Sequence, residues 1–176
     1  ATGFSGSDFR ELPNILRGFI HLDRGEYDSA LKAAAEAHAA LNRPGAESGK
    51  FFNYKLINIM GVQGLARALP GRNGEAVKSI ETLQGIDSFL GSLGPEKHLA
   101  IARVHVALKQ FPQALDSIRK TDEKISVAPA VFATLPFQDL SKYFILAKSL
   151  YETGKVSEAK DKYEQLLNHP QIKRIA

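Results

Sequence analysis

The segment from Tyr143 to Pro170 reads YFILAKSLYETGKVSEAKDKYEQLLNHP, and its pattern indicates the fold more clearly than any other part of the chain. Apolar residues recur at helical spacing on both sides of Gly154, and the small residues Ala147 and Ala159 lie among them. The pattern predicts two helices that meet across a tight turn, where the small residues let the two backbones approach. One such hairpin cannot bury its apolar face alone, so it needs neighbours of the same kind.

This segment resembles a tetratricopeptide (TPR) repeat. That family has a large residue, Leu-Gly and Tyr in the first helix, Ala and Phe in the second helix, and a closing Pro. The matching residues here are Tyr143, Leu146, Ala147, Leu150, Ala159 and Tyr163, with Pro170 one residue early. The resemblance implies a scaffold that binds other polypeptides.

Three looser copies of the pattern precede this segment. The matching residues are Gly18, Gly25, Ala30 and Ala34 in the first copy, Gly74, Ala76 and Ile80 in the second, and Ile101, Ala102, Ala114 and Ile118 in the third. In the third copy, Phe111 and Pro112 replace the turn glycine. The second-helix alanines are separated by 46, 38 and 45 residues, against about 34 in a standard TPR repeat. We therefore expect longer helices or loops than usual.

The fold class expected from these copies is all-α, with about four antiparallel helix hairpins stacked as a right-handed, TPR-like α-solenoid. The hairpin units cover about 8–42, 48–91, 95–124 and 137–168, and they form a single repeat domain over 1–176. The expected helices are 8–24, 26–42, 48–69, 74–91, 95–109, 112–124, 137–153 and 156–168. We expect Pro13 to kink or restart the first helix and Gly85 to break the fourth. Residues 170–176 look like the start of a further helix, which favours a fragment of a longer protein.

Composition narrows the classes of function. The 176 residues are 44% hydrophobic and 24% charged, with no cysteine, so thiolate metal sites and disulfides are excluded. The formal charge is +4, but basic and acidic residues are interspersed, so we expect no nucleic-acid binding. No apolar run is long enough for a membrane span, so we expect a soluble protein without membrane insertion. The compartment is left unknown, with the cytoplasm slightly favoured over the periplasm.

Motifs that would carry catalysis or cofactor binding are weak. His98 and His105 lie two helical turns apart, too far for a zinc pair, and His21 and His105 are expected to be half-buried packing residues. The run 45–51 departs from a phosphate loop in its spacing and in the residue after its lysine. Ser117 and Lys120 have an S-x-x-K spacing without companion motifs, which predicts Arg119 and Lys120 on a solvent face. We expect no enzyme activity, no cofactor and no metal.

The TPR resemblance implies a concave groove lined by the first helix of each hairpin. The residues that it places there are Phe19, Leu22, Asp23, Asn58, Arg103, Phe144, Lys148 and Tyr151, with Ile15, Val62, Leu99, Val106 and Glu152 beside them. Asn58 and Val62 depend on Gly61 being the small residue of its helix. The Lys-and-Asn clamp with which one TPR subclass holds a chaperone tail is missing, and the largely apolar groove favours an amphipathic helix or an extended apolar segment.

The function expected from the sequence is a protein–protein interaction scaffold that binds a protein or peptide segment. The alternative is a regulatory or sensor segment of a larger bacterial signalling enzyme or transcription regulator, because repeats of about this length resemble those that precede such domains. Self-association through the exposed ends of the array is a further possibility. The sequence does not identify the partner.

Overall fold

The structure is a computed structural model that describes residues 11–43, 52–86, 94–127, 136–170 and 172. Within these ranges the chain forms eight α-helices and no β-strand. Labelled α1 to α8 in chain order, they are Leu12–Asp23, Tyr27–Leu41, Phe52–Ala68, Asn73–Gly85, Gly94–Ala107, Phe111–Val127, Pro136–Glu152 and Val156–Leu167. Consecutive helices pack as four hairpins. The chain divides into two compact units, Ala1–Ser88 and Phe89–Ala176, with two hairpins in each.

The helix predictions are confirmed to within a few residues wherever the structure describes the chain. Pro13 lies in the first turn of α1, where its missing N–H costs nothing, so it starts the described helix and does not kink it. α4 ends at Gly85, where the sequence predicted a break. The sixth helix runs to Val127, three residues beyond its predicted end. The following parts of the sequence prediction lie outside the described residues: the continuation of α4 beyond Ile86, the start of the first helix, the run 45–51, and most of the segment 170–176. The single domain and the longer parent protein stay predictions.

All four hairpins use the same turn. Each contains one residue with positive φ, here called the turn residue, and these are Gly25, Gly71, Lys109 and Gly154. In the first hairpin the amide of Gly25 donates to the carbonyl of Leu22 at 3.0 Å, and the amide of Glu26 donates to the carbonyl of His21 at 2.8 Å. The other three hairpins repeat both bonds at the same offsets. This pair of bonds is a Schellman motif, which satisfies carbonyls left open at a helix C-terminus.

The third turn corrects the sequence interpretation. The residue that takes the left-handed conformation is Lys109, with φ 58°, and not the Phe111-Pro112 pair. Phe111 begins α6 and Pro112 follows it in the first helical turn, as predicted for that proline. Because a residue with a Cβ pays a steric cost at positive φ, sequence patterns favour glycine there and gave no sign of Lys109.

Small residues recur at fixed distances from the turn residue. The fifth residue after it is always a buried alanine, and these are Ala30, Ala76, Ala114 and Ala159, as the sequence predicted. The seventh residue before it is also small and buried, and these are Gly18, Gly64, Ala102 and Ala147. In α3 the small residue at this position is therefore Gly64 and not Gly61. Identical turns thus place identical small residues in all four hairpins.

In the first unit the second hairpin packs through α3 on both α1 and α2. A Cβ placed on Gly18 of α1 would lie 2.9 Å from Cγ1 of Val62 on α3, so glycine permits the close approach of these two helices. The sequence interpretation assigned Gly18 to the contact between α1 and α2, whereas its nearest neighbour is on the next hairpin. Nζ of Lys55 on α3 also donates to Oε2 of Glu11, just before α1, at 2.8 Å. Both side chains are more than nine-tenths buried.

In the second unit the hairpins meet through α5, α6 and α7. An apolar cluster joins them, formed by Leu99, Ala102, Ile118 and Ile145, with Val106 and Leu146 packed against it. Nη2 of Arg103 on α5 donates to Oγ of Ser141 on α7 at 2.7 Å. A salt bridge between Lys142 and Asp122 joins α7 to α6 at 2.5 Å. This junction is thus apolar at its centre and polar at its edge.

Candidate binding surface

The outward face of α7 carries four residues at helical spacing, Phe144, Lys148, Tyr151 and Glu152, here called the α7 surface. The Phe144 side chain is 49% exposed and Tyr151 is 57% exposed, which is unusual for large aromatic residues on a packed helix. Nζ of Lys148 lies 4.0 Å from Oε1 of Glu152 between them. The sequence prediction of Phe144, Lys148 and Tyr151 as one group agrees with their common face.

The opposite side of α7 holds the helix in place. Ile145, Ala147, Ser149 and Leu150 are buried there, against the neighbouring helices of the unit. Because α7 is anchored by this buried face, which runs from Ile145 to Leu150, the exposed aromatic residues are held on a rigid element. A rigid surface loses little conformational freedom when it binds a partner.

Arg103, which the sequence placed in the groove as a cation, has a structural contact. Its guanidinium is half-buried and bonds to Ser141 across the α5–α7 junction. The side chain therefore helps to fix the spacing of the two helices beside the α7 surface.

The α1 residues predicted for the groove have mixed surroundings. Phe19 and Leu22 are half-buried, and Asp23 is exposed at the end of the helix. The sequence analysis missed two neighbours, Leu16 and Ile20, which are 61% and 47% exposed. Their i, i+4 spacing indicates a common face, but that face lies at one edge of the broad apolar side of α1, and the pattern does not separate this edge from the buried part.

The α3 prediction depended on the wrong small residue. With Gly64 at the position of Ala147, Asn58 is equivalent to Ser141 and not to a groove position. Its Nδ2 donates to the Tyr54 carbonyl at 2.8 Å, and the side chain is half-buried. The structure thus gives Asn58 a contact within its own helix.

Three of the neighbouring groove candidates lie in the cores of their units. Ile15, Val62 and Leu99 are all buried. Val62 packs on Gly18, and Leu99 belongs to the apolar cluster. These residues join hairpins to each other, so they are unavailable to a ligand. Glu152 remains on the surface, and Val106 is half-buried against the cluster.

The histidines at the turns have structural partners. Nδ1 of His105 lies 2.8 Å from Oε1 of Gln110, and Nδ1 of His21 lies 2.5 Å from Oε2 of Glu26. Both rings are half-buried, as predicted. Burial lowers the pKa of His105 below its usual value, against smaller opposing effects of Gln110 and Asp116. In the first hairpin of each unit, a histidine side chain thus contacts a side chain across the turn and links the two helices.

The remaining chemical candidates also have ordinary contacts. Ser117 is buried and its Oγ donates to the Gln113 carbonyl at 3.0 Å, while Arg119 and Lys120 are exposed and pair with Asp116, as predicted for that face. The described part of the chain has no group of three or more His, Cys, Asp or Glu residues placed to hold a metal ion. None of its helices is both long and apolar enough to cross a membrane.

An open pocket lies where the turn of the first hairpin faces that of the second. Its volume is about 480 Å³, and its lining includes Glu26, Asp28 and Arg72. Oδ1 of Asp28 accepts from Nη2 of Arg72 at 2.8 Å, and both side chains are well exposed. A solvated ion pair of this kind links the two turns weakly and marks no ligand.

Comparison with known proteins places the chain in no family. No protein-family model, no curated protein and no solved structure matches it.

Proposed function

We propose that this chain is a non-catalytic scaffold that binds a protein or peptide segment, built as a TPR-like array that winds as a right-handed α-solenoid. The observation that carries the proposal is the α7 surface, where Phe144 and Tyr151 stand exposed on a helix anchored by its opposite face. Exposed aromatic residues grouped on a rigid element are typical of contact surfaces.

The chemistry of the α7 surface suits a polypeptide with apolar anchors. Phe144 and Tyr151 offer large contact areas with few rotatable bonds, so little entropy is lost when a partner covers them. The Lys148–Glu152 pair is solvent-exposed and long, so it contributes little in the free chain. A partner can therefore replace it with its own charges. An amphipathic helix or an extended segment fits this combination.

The TPR-like architecture is supported by the regularity of the hairpins. All four share the turn conformation, both turn hydrogen bonds and two buried small residues at matching positions. Repetition of the turn and of the small residues beside it supports stacking of similar hairpins into a solenoid. A crystal structure in which the hairpins wind in the left-handed sense would contradict the proposed handedness.

The binding proposal is tested with labelled peptides, amphipathic and extended, whose anisotropy is measured against the chain. For a peptide that binds, we expect Phe144→Ala and Tyr151→Ala each to raise the Kd about tenfold or more. Val77→Ala is the matched control, because Val77 is an exposed apolar residue on α4. The absence of binding by every peptide, or binding unchanged by both aromatic substitutions, would contradict the proposal.

A further inference from the structure

Each unit joins its two hairpins through the same pair of positions. On the first helix of the junction the buried residue is the tenth before the turn residue, which is Ile15 in α1 and Leu99 in α5. On the second helix it is the ninth before the turn residue, which is Val62 in α3 and Ile145 in α7. The two units thus use the same two positions for this junction, although the residues at those positions differ.

Contacts at these positions confirm that they face each other across the junction. Val62 contacts Gly18 on the neighbouring hairpin. Gly18 is the seventh residue before Gly25, the turn residue of the first hairpin. In the second unit Ile145 shares an apolar cluster with Leu99 and with Ala102, which is the equivalent of Gly18. Within each unit the junction therefore joins two distinct faces. The first helix contributes a trailing face, at its tenth and third positions, and the second helix contributes a leading face, at its ninth and fifth positions. Both names are kept for the same positions on α1 and α7.

The leading face of α1 is uncovered. Its ninth and fifth residues are Leu16 and Ile20, 61% and 47% exposed. The equivalent residues on the covered helices are fully or almost fully buried, and they are Val62 and Ala66 on α3 and Ile145 and Ser149 on α7. Leu16 and Ile20 thus occupy junction positions on α1 and stand exposed.

The trailing face of α7 is uncovered in the same way. Its tenth and third residues are Phe144 and Tyr151, both about half exposed. At the tenth position the equivalents Ile15 and Leu99 are buried, and at the third position Leu22 and Val106 are half-buried. These two faces hold four of the eight large apolar side chains that stand exposed in the described part of the chain.

We propose that the leading face of α1 in one copy of this chain packs on the trailing face of α7 in a second copy. Leu16 then takes the place that Val62 and Ile145 occupy within the units, and Phe144 takes the place of Ile15 and Leu99. The occupant is a second copy because the chain carries both halves of a junction that it already builds twice. The proposal rests on the proposed function, since it names the partner of the α7 surface.

The predicted association is head-to-tail. The two faces are different patches on one chain, so each copy can bind one copy at each end, and the assembly grows without closing unless the geometry forms a ring. Apolar contacts of this kind are lost when a charge is placed at their centre, since the charge would have to be buried without a partner.

The first test is sedimentation velocity over about 5 to 500 μM, a range that covers the affinities of small interfaces. We expect the average mass to rise with concentration. Leu16→Asp and Phe144→Asp should each abolish this rise, with unchanged helical circular dichroism because both sites are exposed. Val77→Asp is the control and should associate like the parent chain. A monomer at every concentration would overturn the proposal.

Mixing the two variants distinguishes head-to-tail from symmetric association. Leu16→Asp keeps its trailing face, and Phe144→Asp keeps its leading face, so a mixture should give a one-to-one dimer that grows no further. No dimer in the mixture would overturn the proposal. The chain has no cysteine, so Ile20→Cys and Tyr151→Cys variants report proximity directly. We expect a disulfide-linked dimer from their mixture and little from either alone.

The outcomes separate this proposal from the proposed function. If the chain stays monomeric but peptides still bind through Phe144 and Tyr151, the second-copy proposal fails and the scaffold function stands. If neither association nor peptide binding depends on these residues, both fail. If Leu167→Asp on α8 abolishes association while Leu16→Asp does not, the interface lies elsewhere and the second-copy proposal is overturned.

Discussion

The two units share their turns and their register but fill their junctions differently. The first unit brings α1 and α3 together over Gly18 and buries the Glu11–Lys55 ion pair beside them. The second places Ala102 in an apolar cluster and keeps the Arg103–Ser141 contact only half-buried. We infer that the turn determines which residues face each other across the junction. The side chains at those positions determine how closely the helices approach and how polar the junction is.

The largest effect that we expect comes from breaking the buried ion pair of the first junction. Lys55→Ala leaves the Glu11 carboxylate buried without its cation, which typically costs about 3 to 5 kcal/mol. Urea unfolding followed by circular dichroism measures the loss, and hydrogen exchange assigns it to the first unit. The double variant Glu11→Leu with Lys55→Met removes both charges and should recover most of the stability. A loss below about 1 kcal/mol for Lys55→Ala would show that the pair is not confined as described.

The next effect comes from giving the first junction the small residue of the second. Gly18→Ala places a Cβ against Val62, and overpacking of this kind costs about 1 to 3 kcal/mol. The higher helix propensity of alanine offsets about 1 kcal/mol of that cost. We therefore expect a net loss of up to about 2 kcal/mol, measured by thermal or urea unfolding.

The matched control for this change is the removal of the clash. Val62→Ala in the Gly18→Ala background should make the alanine at position 18 neutral or favourable, even though Val62→Ala alone is destabilising. A double-mutant cycle measures the coupling. Net stabilisation by Gly18→Ala alone would mean that α1 and α3 separate without cost and would contradict the close approach.

The turns offer a smaller comparison, between Lys109 and the three glycines. Lys109→Gly relieves the steric cost of a positive φ, about 1 to 2 kcal/mol. Glycine also makes the unfolded chain more flexible, so folding costs about 0.5 to 1 kcal/mol more in conformational entropy. We expect a net gain of about 0.5 to 1 kcal/mol. Gly154→Ala is the reverse change at an open site and should lose about 1 kcal/mol. Equal signs for the two variants would contradict the shared turn conformation.

The smallest expected effect is a pH dependence in the second unit. The folded pKa of His105 lies below its unfolded value of about 6.5 because the ring is buried. Its contribution to stability is therefore complete above pH 6.5 and is lost as the pH falls towards the folded pKa. Unfolding measured from pH 7.5 to 5.5 should show this loss, and His105→Gln should remove it. An identical pH profile for the variant would exclude His105 as the source.

Local features of the fold were predictable from the sequence because they depend on neighbouring residues. The four anchor alanines and the turn glycines stand at fixed short offsets, so the pattern indicates four hairpins without any tertiary information. Lys109 escaped prediction because lysine rarely takes positive φ, and nothing in its immediate sequence signals that the turn forces it to do so. The α3 register escaped because Gly61 and Gly64 are both small, and only the position of Gly71 in the turn separates them.

The candidate surface was predictable only in part. Phe144, Lys148 and Tyr151 share a face that helical spacing alone defines. Leu16 and Ile20 were missed, and Val62 was wrongly placed in the groove. Adjacent apolar residues of one helix look alike in the sequence, and they differ only in whether a neighbouring hairpin packs on them. Helical spacing identifies a face, but it does not say whether another hairpin lies against it.

The sequence alone therefore indicated the helices, the glycine turns of the first and fourth hairpins, and the four buried alanines after the turns, because these follow from contacts within about ten residues. Only the tertiary structure decided the pairing of Glu11 with Lys55, 44 residues apart, the packing of Gly18 on Val62, and the division of each helix into leading and trailing faces. Those features depend on which hairpins pack against each other. In a chain of similar repeats the local sequence pattern does not specify this, because the repeats present nearly equivalent faces.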